Sequence, residues 1–256
     1  FYNQFDKELE NKWKELQIKS NISVFQSYSW QKFWYENCGV NKKNLIVLIY
    51  DNNNLVSIFP LNILDKYNIK VLTFSGFPFS DYNAPIVDNN YNLSEDNFDN
   101  IVKEIKNKKK IDVLHLINLK PDIKFLKGFK SNLSFGSEIS NKDFYESLIN
   151  KLKKNLDYEI RRVDKKYKVK YILDPDDNEI TEIIKFFIIE KEKQLKRTKA
   201  WNYLKFDNFK NYFINLKTLD KGLLNFSCIK LDNKIVASHI GYNFNNIFYY
   251  IFPTYN

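Results

Sequence analysis

The stretch "IVASHIGY" holds one of the two histidines of the chain between small residues. Along an extended strand Ala237, His239 and Gly241 share one face, opposite Ser238 and Ile240. Small neighbours leave room beside the imidazole, so His239 is a candidate general base with a pKa near working pH. A lone strand histidine is more often a satisfied core residue, which is the other reading. Asp81-Tyr82 falls in the irregular run "FPFSDYNAPIV", where a rigid scaffold displays functional groups. Asp81 could orient or deprotonate an acceptor, with Tyr82 beside it, and an Asx-turn is the other reading. Arg161 and Arg162 recur at helical spacing with Lys153-Lys154 and Lys165-Lys166, a band suited to phosphate or sulfate or a solvated helix face. Trp201, with Tyr203 close by, could cover a sugar ring or acceptor, or pack in a core.

Composition excludes more than it assigns. The six glycines are never closer than Gly128 and Gly136, so neither a Walker A loop nor a G-x-G-x-x-G dinucleotide turn is present. Two separate cysteines, Cys38 and Cys228, and two separate histidines offer no HExxH, no CxxC and no zinc set, so no metal is expected. Both thiols sit in apolar runs, as buried cysteines in a reducing, cytoplasmic compartment do. No apolar run approaches the roughly 18–20 residues that span a bilayer. The N-terminal segment is charged and amphipathic, unlike a signal peptide. The net charge of +9 gathers near 107–110, 150–170 and 190–199, which fits anionic partners as well as solvated lysine faces. The chain has no methionine, even at position 1, and reads as a piece cut at both ends.

These residues need elements to hold them. "NQFDKELENKWKELQIKS" predicts a helix, and "FQSYSWQKFWYENCG" a second, capped at Ser27 or Ser29 and stopped by Gly39 as C′ residue. The period then changes to strands: "NLIVLIY", a "DNNN" turn, "LVSIFPLNIL" and "IKVLTFSG". "SEDNFDNIVKEIKNKKK" is an amphipathic helix, "IDVLHLINL" a strand buried on both faces, and "KPDIKFLKGF" a short helix opened by proline. A long basic helix follows across 141–167. Next come the strand "KVKYIL", the aspartate-capped helix "DNEITEIIKFFIIEKEKQLKR", and a helix "FDNFKNYFINLKTLDKG" closed by Gly222. The end, "LLNFSCIKL–DN–KIVASHIGYNF–NN–IFYYIFPTYN", repeats the strand–turn–strand–turn–strand plan of residues 45–83. The expectation is an α/β (α+β) protein of two similar domains, 1–145 and 146–256. Each would have a mixed, largely antiparallel sheet flanked by helices, and the second would stop after its third strand.

That plan resembles tandem GNAT-like acyltransferases. The stretches "FQSYSWQKFWYENCG", "LVSIFPLNI", "FSGFPFSDYNAPIV", "LKKNLDYEIRRVDKK" and "DNKIVASHIGYNFNNIFYYIFPTYN" resemble, in order, the CelD/BcsL-type acetyltransferase family associated with cellulose biosynthesis. That family is itself similar to the FemAB aminoacyl-transferases. The resemblance implies an acyl-CoA (acetyl-CoA) co-substrate and an anionic or sugar-containing acceptor of cell-envelope or polysaccharide metabolism. It also admits aminoacyl-tRNA as donor, a peripheral contact with the inner face of the membrane, and no DNA. It implies that Tyr249, Tyr250 and Tyr255 edge the acyl-donor strand, where one phenol, Tyr250 among them, could protonate a leaving thiolate. A helix N-terminus that would hold the donor pyrophosphate lies beyond Asn256 on this view, so the 256 residues by themselves are expected to be inactive. The first copy, with one glycine and two prolines in "GFPFSDYNAP", is expected to be degenerate. A basic binding module that keeps the fold without the chemistry is the rival reading.

Overall fold

The computed structural model describes residues 1–39, 43–120, 123, 125 and 142–256. They form two compact units, and the chain passes between them more than once. The first comprises Phe1–Lys130, Tyr203–Leu223 and Asn243–Phe248; the second comprises Ser131–Asn202, Leu224–Tyr242 and Tyr249–Asn256.

In the first unit, helix α1 (Lys7–Ile18) starts where the Asp6 side chain accepts the Leu9 N–H at 2.8 Å. Its buried residues Leu9, Trp13 and Leu16 follow helical spacing. Helix α2 (Tyr28–Cys38) is capped by Ser27, whose hydroxyl accepts the Trp30 N–H. Gly39 ends it in right-handed conformation, φ −86°, and so is not the left-handed C′ residue expected. Close approach explains this glycine instead, since a Cβ there would lie 2.5 Å from the Tyr35 ring.

Strands β1 (Lys43–Asp51), β2 (Asn54–Lys66) and β3 (Ile69–Phe74) make an antiparallel meander. The β1–β2 turn is Asn52-Asn53, both residues at positive φ, which asparagine tolerates and a two-residue hairpin requires. Strand β4 (Ile86–Val87) pairs with β2. Helix α3 (Glu95–Lys108) opens on a Ser94/Asn97 capping box and leads to β5 (Val113–Leu114), parallel to β3. The run "IDVLHLINL" was expected to be a long strand buried on both faces. Two of its residues pair with β3, Leu119 makes only an isolated bridge to Asn83, and Val113 is 45% exposed. The sheet has two buried faces: Phe59, Leu61 and Phe74 pack with Phe98, Ile101 and Ile105 of α3, and Ile46, Ile58 and Ile86 pack with the buried stripe of α1. The expected proline-opened helix "KPDIKFLKGF" lies outside the described residues except at its few described positions.

Helix α4 (Lys142–Asp164) opens the second unit, followed by β6 (Val169–Ile172) and α5 (Asp177–Arg197). Asp176 caps α5 by accepting the N–H groups of Asn178 and Glu179. Residues 203–223 then contribute α6 (Asp207–Ile214) to the first unit, where Tyr212 and Phe213 are fully buried. Gly222 does not close that helix; it sits in a separate single 3-10 turn, Lys221–Leu223.

Strands β7 (Leu224–Leu231), β8 (Lys234–Phe244) and β9 (Ile247–Tyr255) complete the second sheet in the order β6-β7-β8-β9. Asn245-Asn246, both at positive φ, turn β8 into β9. One sheet face carries Ile172, Phe226, Cys228 and Ile240, all buried, and α5 lies over it. Phe187 of α5 meets Phe252 edge-on at 6.0 Å, and Glu182 pairs with Lys230 at 2.9 Å. The architecture is thus α+β, with two sheets flanked by helices, one mixed and one antiparallel where its register is defined. Cys38 and Cys228 are both buried and neither is in a disulfide. Among the described residues no helix is long and apolar enough to cross a membrane.

Candidate functional site

Strand β8 carries the second unit's most distinctive polar group. Its pairing with β7 shifts between Ile229 and Lys230, a bulge after which Ser227 faces His239 and Cys228 faces Ser238. His239 is 7% exposed, although its strand is only half covered toward Lys234. Gly241, two residues on and on the same face, makes the space. A Cβ there would stand 2.5 Å from His239 Cε1 and 2.3 Å from the Tyr249 carbonyl oxygen of β9. The ring of Tyr250 closes the other side, stacked on the imidazole at 4.4 Å and 5°. Tyr250 itself is 64% exposed, so the pair forms a lid whose outer surface is a phenol open to solvent.

Burial has an electrostatic consequence. It disfavours the imidazolium and pushes the His239 pKa down to about 4. The side chain is therefore neutral across the physiological range, rather than poised near pH 7 as its sequence setting suggested. A neutral imidazole keeps a lone pair for hydrogen bonding, but its weak basicity makes it a better positioning group than a proton sink.

The other candidates divide between the units. Tyr249 is buried with its carbonyl beside Gly241, and Tyr255 is exposed at the end of β9. Trp201 is 49% exposed beyond α5. Arg161 and Arg162 are exposed on α4 and already engaged within it: Arg161 Nε donates to the Asp157 carbonyl at 3.0 Å, and Arg162 pairs with Glu159 at 3.0 Å. The structure brings His239, Tyr249 and Tyr250 together; Arg161 and Arg162 sit on a separate helix of that unit.

Asp81 and Tyr82 belong to the first unit, on a loop held at many points. Gly76 turns at φ 117°, and a Cβ there would meet Ser80 Cβ at 2.6 Å. Ser80 donates to Asn83 Oδ1 at 2.7 Å, Asn83 Nδ2 to the Ile117 carbonyl at 2.9 Å, and Asn118 Nδ2 to the Ser80 carbonyl at 2.9 Å. Gln26 Nε2 donates to the Tyr82 carbonyl. Phe79 anchors the loop by stacking on Tyr212 at 4.4 Å. Asp81 is exposed as a residue on this frame, while the partial burial of its carboxyl raises the pKa from its ordinary value. A cleft of about 320 Å³ in the same unit, between β1 and α3, is lined by Val47, Ile49 and Ile101 among others and includes none of these candidates.

Sequence reasoning missed Lys191. Within "EKEKQLKR" it looks like any surface lysine, yet its ammonium donates to the Pro253 carbonyl at 3.2 Å, and burial lowers its pKa. The available signal was its position: 184, 187, 188, 191 and 195 form one inward stripe of α5. Also in the second unit, the hydroxyls of Ser238 and Thr254 and both amide atoms of Asn202 are buried without a hydrogen-bond partner. Among the described residues no group of three or more His, Cys, Asp or Glu could hold a metal ion.

Comparison with curated proteins finds no match. Residues 150–256, which run from within α4 to the end of β9 and include the His239–Tyr250 stack, match the family model described as an acetyltransferase (GNAT) domain.

Proposed function

We propose that the protein is an acyl-CoA-dependent N- or O-acyltransferase, and that the β8–β9 pair around His239 and Tyr250 is where donor and acceptor meet. The observation that carries this reading is the coincidence of the acetyltransferase-domain similarity with that stack. Strand β9, which carries Tyr250, lies beside β8 and last in the sheet order among the described residues.

In the proposed reaction the acceptor nitrogen or oxygen attacks the thioester carbonyl. The new C–N or C–O bond forms as the C–S bond breaks. The acceptor's proton passes to a base or to solvent, and the CoA thiolate takes a proton from the Tyr250 phenol or from water. His239, held neutral, accepts a hydrogen bond and orients the acceptor; Tyr249, Tyr255 and Trp201 line the approach. Within the second unit, Arg161 and Arg162 contact donor phosphates; Asp81 and Tyr82 are the first unit's own candidates for binding an acceptor. The acceptor is an anionic or sugar-containing molecule of the cell envelope, handled in the cytoplasm, in line with the resemblance to CelD/BcsL-type proteins.

The test is titration calorimetry of acetyl-CoA into the protein expressed from its whole reading frame, with free CoA as competitor. A saturable heat that CoA displaces is the expected result. No heat and no competition would sink the proposal, and salt-sensitive binding of aminoacyl-tRNA without CoA binding would replace it with FemAB-like transfer.

A further inference from the structure

Helix α4 presents an apolar stripe to solvent. Ile149, Leu152 and Leu156 follow the i, i+3, i+7 spacing of a single helix face and are 44%, 52% and 58% exposed. Isolated exposed apolar residues are ordinary, but three aligned on one helix form a continuous patch. The same segment is strongly basic: residues 151–168 hold eight Lys or Arg against three Asp or Glu. Lys151, Lys153, Lys165 and Lys166 are all exposed, and one of the three acids, Glu159, is engaged by Arg162.

We propose that α4 docks this protein on an anionic lipid surface, with Ile149, Leu152 and Leu156 entering the headgroup boundary and the surrounding cations facing the acidic headgroups. This goes beyond the acyl-transfer reading and does not depend on it. Charge complementarity selects the occupant. A second copy of the chain would bring the same cations against the same cations, which opposes association. A nucleic acid would satisfy the cations and leave the stripe in water. An acidic bilayer satisfies both. Each basic residue near such a surface contributes roughly a factor of five in affinity, so a handful of exposed cations is sufficient alongside a short apolar stripe.

The test is vesicle sedimentation of the 256-residue chain at about 0.1 M salt, comparing phosphatidylcholine alone with roughly one-third phosphatidylserine. Affinity should be at least about ten-fold higher for the acidic vesicles. Replacing both leucines, Leu152→Glu with Leu156→Glu, should abolish binding while the circular dichroism spectrum is kept. If that pair fails to fold, the milder Leu152→Ser with Leu156→Ser should still lower affinity. Lys165→Gln with Lys166→Gln should weaken binding by roughly twenty-five-fold. Equal sedimentation with neutral and acidic vesicles, or binding indifferent to the leucine substitutions, overturns the proposal. So does a concentration-dependent dimer that the leucine substitutions dissolve, or retention of RNA without retention of vesicles.

Discussion

Adding a single methyl group at Gly241 should disturb both the stability of the second unit and the titration of its histidine. The new Cβ of Gly241→Ala would lie 2.3 Å from the Tyr249 carbonyl oxygen, and 2.5 and 2.9 Å from Cε1 and Nε2 of His239. The first of these is backbone of the adjacent strand and cannot swing aside, so β9 must shift, and the imidazole must move as well. Overpacking of this kind costs about 1–3 kcal/mol, read as a lower urea midpoint at pH 7.5. The second effect concerns protons. The folded-state pKa of His239, about 4, lies below the ordinary 6.5, so the unfolded chain takes up the proton first. The stability associated with the buried neutral ring is complete above pH 6.5 and is lost as pH falls from 6.5 toward 4. At pH 5 that loss is about 2 kcal/mol for the wild-type chain. If the methyl group expels the ring toward water, its pKa returns toward 6.5 and this part of the pH dependence disappears. NMR can follow the ring directly, because His115 is the only other histidine. A Gly241→Ala protein with wild-type stability, whose His239 still titrates near 4, would refute the reasoning.

Three further outcomes follow from packing and caps. Phe79→Ala removes a ring stacked on Tyr212 and edge-on to Phe209 and Phe213, and should cost about 3–5 kcal/mol in urea unfolding; a loss below about 1 kcal/mol would mean that the cluster closes the gap. Asp176→Ala leaves the Asn178 and Glu179 N–H groups without their cap and should destabilise by about 1 kcal/mol, with hydrogen exchange rising first in the opening turn of α5. Asn233→Val forces a β-branched residue to φ 68° and should cost about 1–2 kcal/mol, whereas Asn233→Gly should be neutral or stabilising; equal stability of the two variants would contradict the turn geometry.

Local chemistry made much of the fold readable. The pairs Asn52-Asn53, Asp232-Asn233 and Asn245-Asn246 announce hairpins because asparagine and aspartate are among the few residues that tolerate left-handed backbone. Ser27 and Asp176 announce helix starts because their side chains satisfy N–H groups that the helix leaves over. Features that depend on distant partners were harder to read. The apolar run 111–119 has the composition of a buried strand, but pairing depends on the edge of β3 and extends over two residues. Gly39 looks like a conformational stop and is in fact a steric one, set by the Tyr35 ring. His239 was visible as a candidate, with its small neighbours. Its neutral state follows from burial, and the Tyr250 ring that stacks on it reaches it from across a hairpin. Lys191 was hidden by the lysines around it.

The excursion of the chain between Asn202 and Leu224 also bears on how this protein can be divided. The span similar to an acetyltransferase domain, residues 150–256, carries α6 with it. Yet Tyr212 and Phe213 of α6 are buried against Phe79, and Tyr212 also against Phe33, all within the first unit. A piece expressed from residue 150 onward would expose those rings, and a piece ending near residue 145 would leave their sockets open. Sequence similarity and packing therefore draw different borders in this chain. Recombination or truncation at the similarity border would separate a helix from the packing that holds it.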